Sequence, residues 1–76
     1  MRLSDLQHKD IVSVIDGKKI GNIIDVIVDD SGSISGLVVE KSKFAISMFS
    51  NRGEIIVNWD QIEKIGEDVI LVKINF

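Results

Sequence analysis

A proton-transfer centre in this chain would have to form around its single histidine. His8 stands near Asp5 and Asp10, a pairing that can orient an imidazole as a general base, and Ser4 and Ser13 are the nearest hydroxyls. Neither serine has the strand-turn-helix context of an activated nucleophile. The chain has no Cys and no Tyr, so carboxylates, Ser and Lys complete the inventory. A solvated histidine ahead of the first strand is the simpler account, and no catalytic residue is assigned.

Asp25, Asp29 and Asp30 form the main acidic group. On an extended strand Asp25 and Asp29 would share a face about 13 Å apart, too far to coordinate one ion by themselves. The sequence "DDSGSISG" lacks the ligand ladder and closing Glu of a calcium loop, so Asp here is expected to cap a turn. Glu67-Asp68 follows Gly66 and reads as a turn into the last strand. "GKKIG" (17–21) lacks the spacer, residue order and helix of a phosphate-binding loop. No metal ligand and no cofactor-binding residue is assigned.

A different kind of chemistry is offered by "KSKFAISMFSNRG" (41–53), where Phe44, Ile46, Met48 and Phe49 are crowded between Lys41, Lys43 and Arg52. Strict alternation puts Phe44, Ile46 and Met48 on one side of a short strand and Phe49 on the other. Phe44 and Ile46 are expected in the core. Met48, Phe49, Arg52 and Lys43 are expected to form a partner surface.

The elements that would carry these residues are strands. Short Ile- and Val-rich runs are separated by Gly or Asp-Gly breaks, the spacing of an antiparallel β protein. Strands are predicted at 10–15, 20–29, 34–41, 53–59 and 68–75, with turns at 16–19 and 30–33. Along the second, Ile20, Asn22, Ile24, Val26 and Val28 share the face expected to be core. "LSDL" near the start reads as no more than a turn. In "NWDQIEKIG", Asn58 and Gln61 form a capping box for a short helical turn near 59–64, and Gly66 ends it. Trp59 and Ile62 would plug one end of a small barrel.

Composition narrows the partners. Nine Lys and Arg against twelve Asp and Glu leave a net charge of -3, which disfavours nucleic acid as the partner. No stretch approaches the roughly 20 apolar residues of a membrane span, and no signal-peptide core opens the chain. A cytoplasmic location and one domain over 1–76 are the expectation.

The ordered set Leu3, Leu6, Lys9-Asp10-Ile11, Gly17, Ile20-Gly21, Asp25, the Asp29 to Gly32 turn, Trp59, Ile62, Ile65-Gly66, Asp68-Val69 and Ile70-Leu71-Val72 resembles PRC-barrel proteins. The resemblance covers most of the chain and is greatest to the stand-alone YlmC/YmxH branch, associated with sporulation. It departs at Asn58, where many relatives have proline, and in the apolar segment after the third strand. The fold class expected is all-β: a small, strongly bent antiparallel sheet closed or nearly closed into a PRC-type barrel. The resemblance implies contacts with macromolecules and supplies no catalytic set. The function expected is a non-enzymatic interaction barrel with a protein partner, a possible homodimer linked to sporulation. The alternative is a ribosome- or RNA-associated assembly factor, like the barrel of the ribosome maturation factor.

Overall fold

The computed structural model describes residues 2–42 and 54–74. A short helix α1 (Leu3–Gln7) is followed by β1 (Asp10–Ser13), β2 (Lys19–Val28), β3 (Ile34–Lys41) and β4 (Glu54–Asn58). A 3-10 turn at Trp59–Gln61 leads into β5 (Ile62–Ile65) and β6 (Val69–Val72). All six strands form one sheet in the order β4-β3-β2-β1-β6-β5.

Two features of this sheet correct the expected closed antiparallel barrel. First, β1 and β6 run parallel, with Ile11 opposite Ile70 and Ser13 opposite Val72, while the other neighbouring pairs are antiparallel. Second, the sheet is open: β4 and β5 are its outer strands and do not pair with each other. The backbone between them explains why. The Asn58 N–H is taken by the Gln61 side-chain oxygen at 2.9 Å, and the Gln61 carbonyl accepts from Lys73 N–H at 2.8 Å. The chain therefore leaves β4 through a capped turn and joins β6, so β5 has β6 and not β4 as its hydrogen-bonding neighbour. The helical turn is shorter than the expected 59–64, because Ile62–Ile65 is strand.

The core gathers Leu6, Ile11, Ile20, Ile23, Leu37, Val39, Val57, Ile70, Val72 and Ile74 on one side of the sheet. Burial along β2 does not follow the single alternating face predicted for it. Ile23 is buried while Ile24 and Val28 are exposed. The register explains the switch: Ile23 faces Val39 and Asp25 faces Val38, leaving Ile24 as an extra residue. Such a bulge reverses which side chains point inward, so Val26, opposite Leu37, packs on the core. A second irregularity, against β1, leaves Ile20 between Gly21 and Lys19, and Ile20 is fully buried.

Two glycines serve distinct purposes. Gly17 has φ +71° and turns β1 into β2, where Gly17 N–H donates to Ser13 O at 2.8 Å. Gly21 is needed for close approach: a Cβ there would overlap the Glu40 carbonyl oxygen on β3. Backbone cannot retreat as a side chain can. Gly21→Ala is expected to cost about 2 kcal/mol or more, and Gly17→Ala only about 1 kcal/mol, from its positive φ. Urea unfolding should show that order in the midpoints with an unchanged slope. Equal midpoints would remove the close-approach argument.

Candidate functional site

The residues singled out for proton chemistry do not converge. His8 is exposed at the C-terminal cap of α1. Ser13 is fully buried and accepts the Ile15 N–H at 3.2 Å, so it is a turn-stabilising hydroxyl. Asp29 caps the β2–β3 turn: one carboxylate oxygen accepts from Ser31 N–H at 2.9 Å, Ser31 O–H at 2.6 Å and Ser33 N–H at 3.0 Å. These bonds, the Ser31 hydroxyl foremost, hold its pKa below the ordinary 3.8. Asp25 accepts the N–H of its own neighbour, Val26. Among the described residues no group of three or more His, Cys, Asp or Glu is placed to hold a metal ion. Met48, Phe49, Arg52 and Lys43, the expected partner surface, lie outside the described residues, as do Phe44 and Ile46.

Two polar clusters fasten strands instead. Asp10 accepts from Asn22 Nδ2 at 3.0 Å and pairs with Lys19 Nζ at 3.2 Å, joining β1 to β2. Lys9 reaches across the sheet, its Nζ donating to the carbonyls of Gly66 at 2.7 Å and Glu67 at 2.5 Å. That pair of bonds ties the segment between α1 and β1 to the β5–β6 turn. The turn itself is closed by Gly66 N–H to Val69 O at 2.7 Å.

The concave feature of the surface lies beside α1. A cavity of about 320 Å³ is lined by Arg2, Leu3 and Leu6 from the α1 segment, Val26 from β2, Ile34 from β3, Trp59 from the 3-10 turn and Ile65 from β5. Its size falls at the small end of the range for ligand pockets. Leu6 is buried, whereas Leu3 and Trp59 are 44% and 39% exposed. Trp59 is thus a half-exposed wall of an open cavity and not the sealed plug expected of it.

Among the described residues, the lining holds no carboxylate, imidazole, thiol or hydroxyl, and Arg2 is its one charged member. Such a lining suits apolar groups. Asp25, Asp29 and Lys18 are not part of it. Sequence reasoning missed this site because its seven residues come from five separate elements. The amphipathic trio Arg2, Leu3 and Leu6 was the available signal, since a single helical turn places Leu3 and Leu6 on one side.

The chain belongs to a recognisable class of domain. Residues 1–75 match the PRC-barrel domain, and the chain belongs to that family. It is similar to a Bacillus subtilis protein named "Probable sporulation protein YlmC", with 36% identity over 74 residues, covering 96% of this chain and 91% of that protein. An uncharacterized protein of Clostridium acetobutylicum is 30% identical over 71 residues, covering 92% of this chain and 80% of the relative. No helix among the described residues is long and apolar enough to cross a membrane.

The Asp10 cluster carries a sign-defined pH dependence. The Asn22 hydrogen bond first and the Lys19 hydrogen bond next hold the Asp10 pKa below its ordinary 3.8; burial opposes them by less than either, and the Lys19 charge adds least. A carboxyl whose pKa is lower folded than unfolded stabilises the fold fully above the unfolded value. That stabilisation is lost as pH falls through the folded one. Stability should therefore decline below about pH 4, and Asp10→Asn should flatten part of that decline, the remainder including Asp29. Urea midpoints across pH 2 to 7, taken as about the range in which carboxylates titrate, check this. Identical profiles for the two proteins would exclude the Asp10 contribution.

Proposed function

We propose that this chain is a non-enzymatic, cytoplasmic protein-interaction domain linked to sporulation, and that the cavity beside α1 receives part of its partner. The observation that carries the reading is the cavity's composition: among the described residues its lining is apolar apart from Arg2, with Leu3 and Trp59 exposed. Family membership and the sporulation relative support the same reading. Tryptophan is the residue that most often concentrates binding energy at protein contacts, because it removes a large apolar area from water at little entropic cost. A pocket meant for a polar metabolite would instead need several convergent polar groups.

Residue-specific cross-linking in the native host checks the reading. The native chain should give a discrete adduct with a protein, and Leu3→Ser, which alters an exposed rim residue, should lose most of it with an unchanged far-ultraviolet circular dichroism spectrum. An adduct that survives Leu3→Ser would place binding elsewhere, and only non-proteinaceous adducts would end the protein-partner reading.

Self-association is the finer part of the proposal. Ile56 is 58% exposed, opposite Val38 in the register, and Ile56 and Ile27 flank Gly36 on the outer face of β2–β4. A two-fold dimer would cover such a strip. Light scattering at low micromolar concentration should give twice the chain mass, reduced to one chain by Ile56→Lys. A native monomer removes this part and leaves the cavity reading in place.

A further inference from the structure

The interaction-domain reading leaves open what kind of segment the cavity selects, and the rim supplies an answer. Arg2 is exposed, and among the described residues it is the single charged side chain lining an otherwise apolar cavity. Its guanidinium is in no ion pair with a described residue, in contrast to Lys19, which is paired with Asp10. The nearest carboxylate in sequence, Asp5, accepts the backbone N–H of Arg2 at 2.8 Å. Resting on the reading above, we propose that the cavity takes an apolar side chain from a protein segment that carries a carboxylate beside it, the carboxylate meeting Arg2.

The chemistry of each part follows from the geometry. An aliphatic or aromatic anchor enters between Leu3 and Trp59 and rests on buried Leu6. A guanidinium presents a planar fork of N–H donors that matches a carboxylate in two parallel bonds, and the adjoining apolar wall reduces the competing water. A basic segment would set its charge against Arg2. The site therefore selects by charge as well as by apolar fit.

Trp59 is the only tryptophan in the chain, so its fluorescence reports on this cavity alone. The probes are acetyl-Glu-Leu-Phe-Glu-amide, its counterpart with both Glu replaced by Lys, and octanoate, each titrated into the full chain. The acidic peptide should shift the Trp59 emission to the blue in a saturable manner. The lysine peptide should bind about threefold to fivefold more weakly or not at all, and Arg2→Gln should weaken the acidic peptide by a similar factor, the size expected for one rim ion pair. Arg2→Gln alters an exposed side chain, and its circular dichroism spectrum serves as the folding control.

Equal binding of the two peptides, or an acidic peptide indifferent to Arg2→Gln, overturns the proposal while the interaction-domain reading stands. No response to either peptide overturns it as well. Tighter binding of octanoate than of the acidic peptide overturns it by making the cavity an amphiphile site. The broader reading fails separately, through cross-linking that yields only non-proteinaceous adducts.

Discussion

The parallel pairing of β1 with β6 is the constraint on which the other elements depend. It joins the two ends of the described chain in the middle of the sheet, with Ile11, Ser13, Ile70 and Val72 all fully buried across the seam. Backbone bonds continue the seam at both ends, from Asp10 N–H to Asp68 O and from Val14 N–H to Val72 O. Strands β1 to β4 pair in chain order, but β5 and β6 enter the sheet only through this long-range contact. Contacts so distant in sequence must overcome the loop-closure entropy of the intervening chain, so they form as part of the whole core.

The cavity inherits its shape from that seam. Lys9 fastens the chain just before β1 to the carbonyls of the β5–β6 turn, which holds α1 at the same end of the sheet as Ile65. The capped 3-10 turn brings Trp59 to the same place from β4. Neither the five-residue helix nor the three-residue turn could be stable alone. Together they wall a space whose floor is the sheet, and the cavity is therefore a property of the assembled fold. A domain of this size has little core in reserve, so leaving Leu3 and Trp59 half exposed gives up burial that a folding optimum would use.

Local chemistry was well expressed in the residues. The β3 boundaries, the Gly17 turn, the Asp29 cap and the Asn58–Gln61 capping interaction all depend on groups within a few positions of one another. The β5 strand was hidden, because "IEKI" is short and follows a helical capping signal. The core face of β2 was misread between Gly21 and Ile24, the stretch bounded by two irregularities, because an extra residue reverses alternation and nothing in "GNIID" marks where it falls. It is decided by the partner strand, which must match Val39 to Ile23 and Leu37 to Val26.

By itself the sequence determined the strand-forming composition, the places where the chain turns, the membership of the PRC-barrel family and the poverty of catalytic groups. Only the tertiary structure decided that the sheet is open and mixed, that β2 changes its buried face, and that Leu3, Trp59 and Ile65 meet beside Arg2. The division has one physical cause. Turns and caps are settled by hydrogen bonds between near neighbours, whereas strand order, register and cavities are settled by which distant apolar surfaces exclude water together.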